Sequence, residues 1–244
     1  MPVPATSRLY LDDDHCFEAD ARVVAVDGDR IAFDRTCFYP GGGGQPPDQG
    51  CVKLEGDDLL EIVSVNADAD DIVWHVAKST PPPDILGRSA TLTLDRERRL
   101  ALTRYHTVLH ILNTIALQDY GGWITGVQIG TEYSRIDFKL EGLSAALCTE
   151  LEWKVNTVLE GNHALRAYYI TEDEFRGRED LLRTLDVKPP VSRGQVRVVE
   201  IQGFDAQACG GTHVRSTSHV GRFSIVRTEN KGKINKRIYV RIDQ

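Results

Sequence analysis

Asp95-Arg-Glu-Arg-Arg-Leu-Ala-Leu-Thr-Arg-Tyr-His106-Thr-Val-Leu-His110-Ile-Leu-Asn-Thr-Ile-Ala-Leu117 is the stretch that decides the fold. At a helical period Leu102, Tyr105, Leu109, Leu112 and Ala116 form one apolar stripe, so the spacing predicts an amphipathic helix. His106 and His110 fall on its flank. Residues four apart on a helix are neighbours, so both rings can reach one ion from one side. A second pair stands about a hundred residues on, in Cys209-Gly-Gly-Thr-His213, where the two glycines predict a sharp turn. Three imidazoles and a thiol are borderline-to-soft donors suited to a single tetrahedral Zn2+ ion. The bland alternative is a set of core histidines, since an isolated pair at this spacing arises often by chance.

Around that helix the grammar changes twice. Before it, Arg22 to Val26 and Arg30 to Phe33 flank Asp27-Gly28, a two-residue hairpin signal. Cys51 to Val76 alternates apolar and polar positions around further turns. Short strands with frequent turns predict a small β-barrel, and Pro81-Pro82-Pro83 marks a stiff connection after it. After the helix come a strand at Ser134 to Phe138 and a helix from Ser144 to Glu160. Thr171-x-x-Glu174 then forms a capping box that opens a third, more polar helix. Three strands close the chain: Val196 to Ile201, Arg222 to Val226 and Arg237 to Ile242. The expected class is α+β: residues 1–85 a small barrel with a glycine-rich loop, residues 86–244 a metal-binding domain with a mainly antiparallel sheet.

The chain has 244 residues and five scattered cysteines, an odd number that fits reduced thiols. No apolar run of eighteen residues is present, and the first residues lack the order of a secretory signal, so the expectation is a soluble cytoplasmic protein with no membrane partner. The net charge of −7 hides a polarity. Residues 1–73 hold sixteen Asp/Glu against five Lys/Arg, whereas residues 214–244 hold eight Lys/Arg against two Asp/Glu. The basic end, with Lys231, Lys233, Lys236 and Arg237, can hold a phosphate backbone or be a solvated strand pair. Oligomeric state is left open between monomer and dimer.

Three segments carry a family likeness. Asp95 to His110 resembles the first signature of the alanyl-tRNA editing domain, and Gly203-Phe-Asp-Ala-Gln-Ala-Cys209-Gly-Gly-Thr-His213-Val resembles its second. Phe38-Tyr-Pro-Gly-Gly-Gly-Gly-Gln45-Pro-Pro-Asp48 is similar to the glycine-rich segment of alanyl-tRNA synthetases and their freestanding relatives, the AlaX proteins. With Asn230-Lys-Gly-Lys233 they span nearly the whole chain. The length leaves no room for an aminoacylation domain, so the resemblance implies a freestanding protein of the larger AlaX type.

The resemblance implies a trans-editing hydrolase that removes serine, and in some members glycine, from mischarged tRNA(Ala) while sparing Ala-tRNA(Ala). It implies a zinc site of His106, His110, Cys209 and His213, with His213 either a fourth ligand or outside the shell. The ion then either lowers the pKa of a bound water or holds the aminoacyl amine and orients the ester. Gly43, Gly44 and Gln45 are expected at the substrate, and Thr125 or Gln128 is expected to recognise serine. Thr107 stands where HExxH metallopeptidases carry Glu, which disfavours that reading. A deacylase for another mischarged tRNA, and a non-catalytic tRNA-binding module with structural zinc, remain as rivals.

Overall fold

The computed structural model describes residues 3–184, 191–192 and 194–243. Met1 and Gln244, the outer limits of the two expected domains, lie outside the described residues. The chain forms two compact units, one of residues 1–42 and 46–100, the other of residues 43–45 and 101–244.

The first unit contains β1 (Ser7–Arg8), β2 (Glu18–Asp27), β3 (Arg30–Phe33), β4 (Arg35–Thr36), β5 (Gly50–Leu54), β6 (Leu59–Ala67), β7 (Val73–Ala77) and β8 (Ser89–Leu94). Six of these close an antiparallel barrel in the order β2-β3-β7-β6-β5-β8, and β1 pairs with β4 in parallel. The alternation that suggested strands is real. Val52 and Leu54, Leu60 and Ile62, and Leu92 and Leu94 point inward to a core with Ile31, Phe33 and Phe38. The hairpin pairs Asp27 with Arg30, so its two-residue turn is Gly28-Asp29, one position later than expected, with Gly28 at φ 62°. The expected division at 85/86 also moves. β8 lies beyond the proline run and pairs with both β2 and β5, so the barrel closes only with residues 89–94 included.

Arg99 and Asp48 form an ion pair in this unit with side chains 0% and 1% exposed. Arg99 also donates to the carbonyls of Cys37 (2.7 Å) and Asp14 (2.9 Å), and Asp48 accepts the Tyr39 N–H at 2.6 Å. The sequence offered no sign that a charged pair would sit in the interior.

α1 (Arg96–Tyr120) runs through the core of the second unit. The predicted stripe is buried, but so are Thr103, Thr107, Val108, Ile111, Thr114 and Ile115. The helix is therefore central and enclosed, not amphipathic, and its polar residues must find partners inside the protein. After it come β9 (Trp123–Gln128), β10 (Ser134–Lys139), α2 (Ala145–Glu160), β11 (Leu165–Thr171), α3 (Glu172–Arg176), β12 (Val191–Ser192), β13 (Gln195–Ile201), β14 (Asp205–Ala208), β15 (Arg222–Asn230) and β16 (Asn235–Asp243). One antiparallel sheet has the order β15-β16-β10-β9; a second has β11-β13-β12, with β14 also on β13. Ser144 caps α2 through the Leu147 N–H, and Leu151, Val155 and Leu159 bury one face of it. The Thr171–Glu174 capping box forms, but α3 it opens is only five residues long.

Candidate metal centre

His106 and His110 project from successive turns of α1, both buried, with ring centroids 5.0 Å apart. The partner turn leaves β14 at Cys209. Arg197 on β13 braces it, donating through Nη1 to the carbonyls of Cys209 (3.2 Å) and Gly211 (2.9 Å). Gly211 has to be glycine, because a Cβ there would lie 2.2 Å from Cε1 of His106. With the turn pressed on the ring, Sγ of Cys209 is 3.5 Å from Nε2 of His106 and 3.5 Å from Nε2 of His213. The donor atoms of all four residues lie within 4.8 Å of one another.

These residues fit a metal ion. Zn–S of ~2.3 Å and Zn–N of ~2.0–2.1 Å give a tetrahedron whose S···N edges are roughly 3.5 Å. The imidazoles are kept neutral, as ligands must be. Burial, aided by the Arg197 guanidinium, pushes His106 down to about 3. Burial also holds His110 and His213 well below the usual histidine range, reinforced by the other rings and by Arg197. The ring tautomers are set by neighbours. Nδ1 of His106 lies 2.8 Å from Oε1 of Gln45, and that oxygen can only accept. Thr212 donates its backbone N–H to the same oxygen at 3.2 Å, and Nε2 of Gln45 donates to Oγ1 of Thr212 at 2.9 Å. Nδ1 of His213 donates to Thr107 Oγ1 at 3.2 Å, whose own hydroxyl donates to the Thr103 carbonyl at 3.0 Å. In both rings Nε2 is thereby left with its lone pair toward Cys209.

A model of the threonyl and alanyl tRNA synthetase second additional domain matches residues 196–239, which include the Cys209–His213 turn. The AlaX-M alanyl-tRNA editing protein of Saccharolobus solfataricus is 31% identical over 237 residues, covering 96% of this chain and 98% of that one. Its counterpart in Methanosarcina acetivorans is 34% identical over 239 residues, with the same coverage. The chain belongs to the AlaX-M family of alanyl-tRNA editing proteins. Alanine–tRNA ligase of Korarchaeum cryptofilum is 35% identical over 229 residues, which cover 92% of this chain but 25% of the ligase.

In this AlaX-M family member the other residues singled out from sequence are placed unevenly. Gly43, Gly44 and Gln45 belong to the second unit. The Gly44 carbonyl accepts the Ile129 N–H at 2.8 Å, and at φ 87° a Cβ on Gly44 would strike Val127. Thr125 and Gln128 are exposed on β9, a strand that the sequence pattern did not announce. Thr125 is the extra residue of a bulge against β10 and donates to Asn235 Oδ1 at 3.0 Å; Gln128 accepts from Arg135 at 2.8 Å. Lys231 and Lys233 are exposed at the β15–β16 turn. Lys236 is buried, donating to the carbonyls of Gly232 (3.1 Å) and Lys233 (2.9 Å), and Arg237 grips Asp137 through two bonds of 2.7 Å. Half of the basic patch is thus engaged internally. Thr107, Arg197 and Thr212, which hold the quartet in place, were not foreseen as site residues. Their roles rest on contacts between segments distant in sequence. No described helix is long and apolar enough to cross a membrane.

Proposed function

We propose that the chain is a cytoplasmic trans-editing hydrolase that deacylates tRNA(Ala) mischarged with serine, with glycine as a second misacylated substrate, and spares Ala-tRNA(Ala). The observation that carries this reading is the convergence of His106, His110, Cys209 and His213, with Gln45 bonded to His106. Family membership supplies the substrate class. The physical need is plain: a pocket sized for alanine rejects small competitors by only ~1–3 kcal/mol, so a second, hydrolytic inspection is required.

One Zn2+ ion is the cofactor in this reading. When bound it supplies a fixed positive charge that favours a lone pair of the aminoacyl group and so orients the ester. The chain's own residues do the rest. Cys209 offers a thiolate and the three histidines offer neutral nitrogens, held in register by Gln45 and Thr107. Thr107 follows His106 at the place where an HExxH metallopeptidase carries its glutamate base. Water adds across the ester, and serine and tRNA leave. Orientation of the ester is the main contribution in this reading, which requires that His213 stand outside the shell and leave one tetrahedral position to the aminoacyl group. Lys231 and Lys233 are assigned to the tRNA backbone, and Gly43 and Gly44 to the mouth of the site. Lys236 braces the β15–β16 turn that presents those lysines, while Arg237 is held by Asp137 on β10.

The presence of a fourth donor in His213, which would close the shell, favours one second reading, a tRNA-binding module with structural zinc. Deacylation of Ser-tRNA(Ala) beside Ala-tRNA(Ala), with wild type and Cys209→Ala, separates the two. Loss of serine alone, abolished in the variant, is the expected result. Retained tRNA binding with neither ester cleaved would establish the module instead.

A further inference from the structure

Tyr105 is buried on α1, and its hydroxyl donates to the Glu132 carbonyl at 2.5 Å while accepting the Ile242 N–H at 3.4 Å. These bonds fasten the first half of α1 to the β9–β10 connection and to the end of β16. The Gly130 N–H donates to Ser134 Oγ at 3.1 Å and closes the same connection. Two cavities open beside this anchor. One, of about 270 Å³, is lined by Arg104, Arg241, Thr131 and Glu132 around Tyr105. The other, of about 230 Å³, shares Thr131 and Glu132 and runs on to Arg135 and Gln128. Because their walls are common, they form one groove.

The groove is cationic in a chain whose net charge is −7. Among the described residues its lining holds Arg104, Arg135 and Arg241 against a single carboxylate, that of Glu132. Arg135 is steadied by Gln128 and Asp137. The guanidinium groups of Arg104 and Arg241 have no hydrogen bond or ion pair among the described residues. That sets them apart from Arg99, Arg183, Arg197 and Arg237, each engaged by an internal acceptor. A guanidinium presents a planar fork of N–H donors that matches phosphate oxygens. Aromatic rings stand beside these cations. Tyr239 lies opposite Arg135 in the sheet, with the Arg227 guanidinium 4.0 Å from its ring centre and the exposed Tyr133 ring 6.3 Å away. Arginines interleaved with open tyrosine faces suit RNA, whose phosphates take the former and whose bases stack on the latter.

The groove also leads toward the metal centre. Gln128 at its far end precedes Ile129, whose N–H is bonded to the Gly44 carbonyl at 2.8 Å, and Gln45, next in the chain, holds His106. Resting on the editing reading above, we propose that this groove is the track of the tRNA(Ala) backbone as the aminoacylated end approaches the metal centre. Arg104 and Arg241 clamp one phosphate, and Tyr133 offers its face to a base. The contact is separate from that of Lys231 and Lys233 on the β15–β16 turn. Glu132 is the one group in the groove that opposes a phosphate, so its charge provides a control of opposite sign.

The test is binding of uncharged, fluorescently labelled tRNA(Ala) to the full chain across a salt series, read by anisotropy. Arg104→Ala and Arg241→Ala are each expected to weaken binding about tenfold. The double variant should lower the slope of log K against log salt by about 1, the loss of one phosphate contact. Glu132→Gln, a change at an exposed position, is expected to tighten binding a few-fold, which holds the proposal to account even if an arginine variant does not fold. Bound zinc should be unchanged throughout. Unchanged affinity and slope in the double variant, or weaker binding by Glu132→Gln, would overturn the groove; hydrolysis of Ser-tRNA(Ala) by wild type would then leave the editing reading standing. An equal loss of affinity for poly-glutamate would mark a surface for acidic chains in general and would overturn the assignment to tRNA. Wild type that binds tRNA(Ala) but cleaves neither its seryl nor its glycyl ester would overturn the editing reading, and the same slopes would still decide the groove.

Discussion

Gln45 and His106, 61 positions apart in sequence, meet in a hydrogen bond of 2.8 Å that decides which nitrogen of the imidazole faces Cys209. The amide does this because Gln45 is itself held twice by Thr212. The metal face of α1 is therefore oriented by a residue from the glycine-rich loop. Outer hydrogen-bond partners of this kind typically govern metal affinity by ~10–100-fold. Gln45→Ala should weaken zinc binding by about that factor, read by competition with a chromophoric chelator. Gln45→Glu, which keeps an acceptor toward Nδ1, should restore most of it. Equal affinity in wild type and Gln45→Ala would remove Gln45 from this role.

The buried pair of Arg99 and Asp48 makes a stability prediction. Removing one partner leaves the other charged, desolvated and alone, at a cost of ~3–5 kcal/mol. Arg99→Met and Asp48→Asn should each lower the urea midpoint strongly. The double variant should recover part of the loss, because no unpaired charge remains. Full additivity of the two single effects would contradict the pairing.

His75 makes a prediction about pH. It is wholly buried in the barrel, between Phe33 and Phe38, with Thr36 2.8 Å from Nε2 and the Ile31 carbonyl 3.2 Å from Nδ1. Burial pushes its pKa from 6.5 down to about 4, opposed by its backbone bonds. Between those values the unfolded chain binds more protons than the native one, so stability rises with pH. The contribution is complete above pH 6.5 and lost as pH falls toward 4, about 3 kcal/mol in all. Urea denaturation from pH 8 to pH 4 should show a shallower decline in His75→Leu than in wild type. Parallel declines would show that His75 is not the group responsible.

What the sequence disclosed follows from the range of the interactions involved. The turn of α1 that carries His106 and His110 was readable because a helix places residues i and i+4 together whatever surrounds it. Inward alternation at Val52, Leu54, Leu60 and Ile62 was readable for the same local reason. β9 was not: Gly126 and the bulge at Thr125 break the alternation that announces a strand. Lys236 and Arg237 were visible as charges, but their engagement with the Gly232 carbonyl and Asp137 depends on how a hairpin and a neighbouring strand meet. Asn113 and Thr107 read as ordinary helix positions until Gln207 and His213 are brought to them from 94 and 106 residues away.

The assignment of residues 43–45 to the second unit, while their neighbours on either side belong to the first, has a consequence for dissection of the chain. No single cut separates two self-sufficient fragments. A fragment starting at residue 101 keeps all four donors yet forfeits the amide that steers one of them, whereas a fragment ending at residue 100 retains that amide with nothing to steer. A shortened editing protein built from the later fragment would have to recruit a new acceptor for His106, and such a replacement marks where to look when comparing compact and extended versions of this scaffold.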